Sequence, residues 1–288
     1  MSNFPWNGSS IVEKKYKENN YEVVLTGSSQ NNAIIFFSSH GIYYPNSEQI
    51  FVEKMVEEDY YDWRNLAKHK LIINNFAKII FVRDVYKQWY VTGINERINS
   101  IDRLKELLEE ETKGYEITTC GSSAGGYIAL LMGVLLNASR IIDSCGQHDL
   151  SLLKGNPFID RYNNDVGRSK YYNVKPYLKG KEDSIYYFYP SECQDDIIQS
   201  KAIGDAITKR FAMKGAMHGE TVRAVCFPYI LTMDKDKLDN LQLKYSDQII
   251  DRAVLFKDMI PLKDRVIYYF RYGLKKLIMM INKKGISE

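Results

Sequence analysis

The stretch Ile117-Thr-Thr-Cys-Gly-Ser-Ser-Ala-Gly-Gly-Tyr127 constrains this chain more than any other. Residues Tyr115 to Cys120 read as a strand, and the almost wholly apolar run from about Ala124 to Leu136 reads as a buried helix. Between them lies Gly121-x-Ser123-x-Gly125. A serine at a sharp strand-to-helix turn needs small neighbours on both sides, because the backbone there is strained and crowded. The helix N-terminus behind it offers unpaired N–H groups and a positive dipole end to a developing oxyanion. The pattern alone is common, and its place between strand and helix is what makes Ser123 a candidate nucleophile. A plain Gly/Ser turn that lets the helix pack close to the strand is the structural alternative.

The rest of the chain repeats the alternation. Tyr21–Leu25 reads as an edge strand, and Ala33–Ser38 and Ala77–Val82 as buried strands ending in loops. Ile101 to Glu111 reads as an amphipathic helix with Leu104, Leu107 and Leu108 on one face. Further strands are expected at Ser139–Asp143, Ser184–Tyr189 and Thr208–Met213, with a helix from Asp196 to Ala206 between the last two. Strands joined by helical crossovers predict an α/β fold, a mainly parallel sheet with helices on both faces. The Asn-, Tyr-, Gly- and Lys-rich stretch at about 146–180 breaks the rhythm and reads as an insertion over the carboxyl edge of the sheet, where such folds bind ligands. The expected organisation is one catalytic domain over 1–250 and a basic amphipathic helical tail over 251–288.

A serine nucleophile needs a base, and the base an orienting carboxylate. His218 follows the last expected strand in the small-residue loop Lys214-Gly-Ala-Met-His-Gly219, and Asp195-Asp196 follows the strand before it. Asp196 is preferred because it opens the helix containing Gln199, with Asp195 close behind. A solvated helix cap is the plain role for either. The loop Ser38-Ser-His-Gly41 follows the first central strand. The oxyanion hole is therefore assigned to the N–H of Ala124 and to one from Ser39 or His40. Arg83, Asp84, Trp89 and His148 are expected to face the same cleft as substrate contacts. A structural ion pair is the equal alternative for Arg83 and Asp84.

Charge and cysteine usage narrow the classes. With 39 basic and 36 acidic residues the chain is nearly neutral, unlike a general nucleic-acid binder. Cys120, Cys145, Cys193 and Cys226 form no CxxC pair, so the sequence predicts neither a metal site nor a disulfide framework and fits a reducing cytoplasm. No secretory segment is visible, and no uncharged apolar run approaches the roughly 20 residues of a membrane span. The tail from Asp251 carries nine basic residues against four acidic ones, with Val266, Phe270, Leu274, Leu277, Ile278 and Ile281 at helical spacing. Such a segment suits packing on its own domain, a peripheral contact with an anionic membrane, or docking onto an assembly partner.

On these residues the chain resembles the α/β-hydrolase superfamily over roughly residues 20–230. The series Ile-Ile-Phe-Phe-Ser-Ser-His-Gly, Arg-Asp…Trp-Tyr and Gly-Ser-Ser-Ala-Gly-Gly-Tyr is similar to hydrolase-fold proteins of bacterial capsule and exopolysaccharide loci, including serine-dependent capsule O-acetyltransferases. The resemblance implies acyl transfer: Ser123 carries the acyl group, His218 shuttles protons and Asp196 holds the imidazole. It also implies acetyl-CoA as a co-substrate rather than a bound cofactor, although no phosphate-cradling glycine loop is present. A glycan hydroxyl or a small acyl ester would be the partner substrate, and Tyr162, Tyr171, Tyr172 and Tyr177 could give an acceptor surface or simply pack the insertion. Two alternatives stand beside this: a carboxylesterase or deacylase of the same fold, and a non-catalytic binding module in a polysaccharide assembly complex.

Overall fold

A computed structural model describes residues 9–153 and 155–270. Eight strands form one sheet: β1 (Tyr21–Leu25), β2 (Asn32–Phe37), β3 (Lys78–Val82), β4 (Glu116–Ser122), β5 (Arg140–Ser144), β6 (Ile185–Pro190), β7 (Arg210–Lys214) and β8 (Ile249–Asp251). Their spatial order is β1-β3-β2-β4-β5-β6-β7-β8. Only β1 runs antiparallel, along β3, and every other pairing is parallel. The parallel pairs require crossovers, and the helices supplying them cover both faces.

Strand periodicity divides the core in two. Ile35 and Phe37 of β2, Ile80 and Val82 of β3, and Ile141 of β5 face the helices Ile101–Glu111 and Ala124–Leu135. Their alternates Ile34, Phe36, Ile79, Phe81 and Ile142 face the opposite layer, which includes the helices Phe227–Thr232, Lys235–Lys244 and Arg252–Met259. Successive side chains of a strand point to opposite faces, so the continuous apolar runs are what a doubly covered strand requires. The helix Ala124–Leu135 is buried from Ala124 to Val134, which explains why its sequence has no polar face.

Several elements lie outside the sequence reading. The helix Ser10–Tyr16, the short helix Lys70–Asn75 and the helices Phe227–Thr232 and Lys235–Lys244 are among them, as is β8. Strand β8 has three residues with one buried side chain, too short a pattern to register as a strand. The helix after it buries Leu255, Phe256 and Met259 in the second core. The described part of the basic C-terminal segment therefore packs on the domain, with Ile260 buried and Tyr268 against the same core, while the positions expected at Leu274 to Ile281 lie outside the described residues.

The insertion contains only short helical turns among its described residues, and leaves the sheet after β5. Ile159, Tyr171, Tyr172, Val174 and Leu178 join the core of the Ala124–Leu135 helix. The Tyr127 hydroxyl donates to the Tyr171 carbonyl at 2.9 Å, fixing one to the other. Among the described residues, no helix is long and apolar enough to cross a membrane.

Candidate active site

Strand β4 ends at Ser122 and the helix begins at Ala124, so Ser123 alone makes the turn. Its φ of 56° and ψ of −123° place it in a region that residues with a Cβ avoid. The turn is held from below: the Ser123 N–H donates to the Ser144 carbonyl at 2.9 Å, and the Tyr127 N–H to the Ser123 carbonyl at 3.0 Å. The flanking glycines are required by space. A Cβ on Gly121 would lie 1.9 Å from the Gly125 carbonyl oxygen, and one on Gly125 would lie 2.4 Å from the Phe37 carbonyl oxygen.

The Ser123 hydroxyl is 2.8 Å from His218 Nε2. His218 Nδ1 lies 2.9 and 3.1 Å from the two carboxylate oxygens of Asp196. Asp196 sits in the first turn of the helix Gln194–Ile203, beyond β6, and is 2% exposed, whereas Asp195 one position earlier faces solvent. His218 comes from the loop after β7 and its side chain is 38% exposed. Thus the carboxyl ends of three parallel strands bring serine, histidine and aspartate into one hydrogen-bonded line. With the Nδ1 proton directed at a carboxylate, Nε2 is left as the acceptor facing the hydroxyl.

Two residues that the sequence reading does not single out complete this arrangement. Gln147 Nε2 is 3.4 Å from the Ser123 hydroxyl and 3.3 Å from His218 Nε2, and Gln147 Oε1 accepts from the Trp89 indole N–H at 3.0 Å. Cys145 accepts the Gly219 N–H at 3.1 Å, and the Ser122 hydroxyl donates to the Gly219 carbonyl at 3.3 Å, so both anchor the loop carrying His218. Donor atoms of Cys145, Asp196 and His218 lie within 4.8 Å of one another. Burial pushes the Cys145 thiol up to about 12, so it stands as a neutral thiol under the histidine loop. No spacing rule in the sequence links these positions, because they meet only through the sheet.

The loop after β2 is clamped from outside. Asp62 accepts from both the N–H and the hydroxyl of Ser39, each at 2.8 Å, and the Ser38 hydroxyl accepts the Asp62 N–H at 3.1 Å. The Ser39 N–H is therefore committed, which removes it as an oxyanion donor. His40 opens the short 3-10 turn His40–Tyr43, and Ala124 opens its helix, so neither N–H has an acceptor within its own helix. Burial and the nearby Lys87 and His218 lower the His40 pKa well below its usual value. Its ring Nε2 takes the Trp89 N–H at 3.4 Å, consistent with a neutral imidazole.

Of the four expected substrate contacts, the structure brings only Trp89 to the site. Arg83 is buried, donating to Asp59 at 2.6 Å and to the Tyr60 carbonyl at 2.9 Å, with its guanidinium over the Tyr61 ring. Asp84 is buried and accepts the N–H groups of Tyr86, Gln88 and Tyr90 at 3.0, 2.6 and 2.9 Å. Burial pushes its carboxyl up to about 6, against those N–H groups, which favour the charged form. Asp84 thus shapes the turn in which Lys87, Trp89 and Tyr90 all adopt positive φ. His148 is fully buried, 2.5 Å from Asp143 and edge-on to Tyr187. These three are corrections to the expected site: each places its charge or ring on protein groups behind the cleft wall.

Lys87, in that same turn, has a measurable consequence. Burial holds its ammonium down at about 7, despite the opposite pull of Asp84 and Asp62. A lysine depressed in the folded state destabilises the fold fully below its folded pKa, and the deficit is regained as pH rises towards the unfolded value near 10.4. Relative to Lys87→Met, the wild-type chain should gain up to about 1.4 kcal/mol of stability per pH unit between pH 7 and 10. Urea unfolding of both proteins at pH 7, 8 and 9 checks this, and parallel curves would disprove it.

No protein-family model matches this sequence, and no curated protein sequence matches it. Similar solved structures exist. A histidine-to-alanine variant of the capsule O-acetyltransferase of Neisseria meningitidis serogroup A, in complex with CoA, superposes with a TM-score of 0.50 at 13% identity, covering 78% of this chain and 93% of that one. The same acetyltransferase with caged gadolinium gives 0.49 at 14% identity, over 79% and 92%. MenH from S. aureus gives 0.40 at 13% identity, over 79% and 97%. At such identities a structural likeness speaks to architecture alone. Together with the strand order and the strand–serine–helix turn, it identifies the chain as a protein of the α/β-hydrolase fold.

Proposed function

We propose that this protein transfers an acyl group through an acyl-Ser123 intermediate, from acetyl-CoA to a hydroxyl of a bacterial capsular or surface polysaccharide. The observation that carries the proposal is the continuous line from the Ser123 hydroxyl through His218 to Asp196 at a strained turn. His218 Nε2 takes the serine proton as Oγ attacks the acyl carbonyl. The tetrahedral oxyanion is received by the N–H groups of Ala124 and His40. Collapse expels the leaving thiol or alcohol, which takes the proton from His218. The acceptor hydroxyl then gives its proton to the same nitrogen and attacks the acyl-serine; as the second tetrahedral intermediate collapses, Ser123 Oγ leaves with that proton from His218 and the new ester is released. Gln147 donates to the serine oxygen and is carried on the Trp89 indole, so it holds Oγ and Nε2 in register.

The glycan acceptor and the acetyl-CoA donor are supported by the sequence resemblance. The meningococcal acetyltransferase structure contains CoA, and a donor of the same class is the corresponding proposal here. A second reading, hydrolysis by a carboxylesterase or deacylase, is favoured by the openness of His218, which leaves water access to the acyl-serine.

Incubation with acetyl-CoA alone separates the two. The acetyl group should appear on the Ser123 peptide by mass spectrometry, and capsular oligosaccharide should discharge it at least about tenfold faster than buffer. Discharge at one rate with and without oligosaccharide would leave the esterase reading. Gln147→Leu should lower turnover about tenfold or more without lowering the melting temperature. Unchanged turnover would remove Gln147 from the site.

For location, we propose a cytoplasmic protein that touches the inner membrane surface peripherally. Residues 262–270 are helical, and Leu262, Val266 and Phe270 are exposed at helical spacing beside Lys263 and Arg265. Replacing the three apolar residues by Gln should abolish flotation with anionic vesicles. Undiminished flotation would exclude this face.

A further inference from the structure

We propose that a second pocket, between the N-terminal helix, the 84–92 turn and the insertion, binds a saccharide unit. Its volume is about 440 Å³, within the range of small-molecule sites. Tyr16 and Tyr86, whose rings stack at 4.1 Å, line it together with Tyr162. Arg168 lies over the Tyr162 ring at 5.1 Å and Arg161 at 5.7 Å. Of the four insertion tyrosines considered for an acceptor surface, Tyr171 and Tyr172 are buried in the core, and only Tyr162 lines this pocket.

The decisive feature lies on its inner wall. Gln88 and Thr92 line the pocket, are 4% and 7% exposed, and have side-chain oxygens, Oε1 and Oγ1, without a hydrogen-bond partner. Buried polar atoms are almost always paired, and an orphaned one costs stability. Two orphans in one pocket therefore point to a ligand that supplies donors. The Arg168 Nε is likewise unpaired, and Arg161 adds further N–H groups, so the same ligand must supply acceptors. Glu13 also lines the pocket, and Arg168 donates to Asp165 at 2.5 Å, so the positive charge is balanced and a simple anion gains little. Closely spaced donors and acceptors with an apolar face that stacks on rings describe a sugar.

The pocket is joined to the candidate active site by one turn. Gln88 points to the saccharide side, and its neighbour Trp89 holds Gln147 against Ser123. A role as acceptor-holding subsite rests on the proposed glycan acceptor, whereas the binding itself does not.

The full chain carrying Ser123→Ala is probed against an immobilised panel of capsular and exopolysaccharide oligosaccharides, neutral and acidic. Saccharide binding is expected there. Thr92→Val should weaken it about fivefold, and Gln88→Met with Thr92→Val at least about tenfold, both with melting temperatures equal to or above the parent, because each removes an unpaired buried oxygen. The exposed Arg161→Ala should also weaken it, by removing N–H donors that the ligand's acceptors would take. No binding across the panel, or equal binding by the double variant, overturns the proposal. Fluorophosphonate labelling of the wild-type chain judges the Ser123 chemistry separately, so either reading can fail alone.

Discussion

Ser123→Ala is expected to abolish labelling by a fluorophosphonate probe and to lower turnover of an acetyl ester by at least about a thousandfold. The alanine retains the buried turn and the hydrogen bonds of the Ser123 backbone, so the loss is one of chemistry and not of folding. Ser123→Gly provides the sharper comparison. At φ 56° and ψ −123° a glycine relaxes where serine is strained, so this variant should be equally inactive yet more stable by about 1 kcal/mol. Strain held at a reacting side chain is what a nucleophile turn requires, since only there does the hydroxyl project clear of strand and helix. Labelling that persists in Ser123→Ala would assign the reaction to another residue. Asp196→Asn tests the remaining link, because the amide must point either an oxygen or an NH2 at His218 Nδ1 and can favour the wrong tautomer. A loss approaching that of Ser123→Ala is expected, and near-full activity would remove Asp196 from the line.

Gly125→Ala should cost more than about 3 kcal/mol of stability, a drop of roughly 6 °C or more in the melting temperature. The added Cβ would lie 2.4 Å from the Phe37 carbonyl oxygen and 3.1 Å from its carbon, and both are backbone atoms of a central strand. Neither can rotate aside, so either the helix lifts off the sheet or β2 bends. Gly121→Ala meets the Gly125 carbonyl at 1.9 Å and should be at least as damaging. Gly167→Ala is the control: its nearest atom is an Asp165 oxygen at an ordinary 3.4 Å, and the residue lies in the short helix Val166–Ser169. That substitution should be neutral or mildly stabilising. Melting temperatures for Gly125→Ala and Gly167→Ala that agree within error would show that the turn is looser than its contacts require.

The frame of the molecule was readable wherever a long pattern met a plain rule. The strands around Ile35, Ile80 and Ile141 and the helix Ile101–Glu111 lie where their periodicity places them, with ends shifted by a few residues. Short elements carried too little pattern. Strand β8 buries only Ile250, and the helix Ser10–Tyr16 has a mixed face that resembles a solvated loop. Charged residues at strand ends carry no pattern that separates a site from a buried ion pair. Arg83 and Asp84 follow a strand facing the ligand edge, yet a buried charge demands partners, and Asp59 and the 86–90 backbone supply them.

Sequence by itself determined the parallel α/β architecture and the strand–serine–helix turn, because these depend on local periodicity, residue size and crossover geometry. Only the tertiary structure decided between Asp195 and Asp196, withdrew the Ser39 N–H, and brought Gln147 and Cys145 to the site. Those outcomes depend on which donor finds which acceptor across strands far apart in the chain. Hydrogen bonds have no sequence period, so their pairing exists only once the sheet has closed the distance.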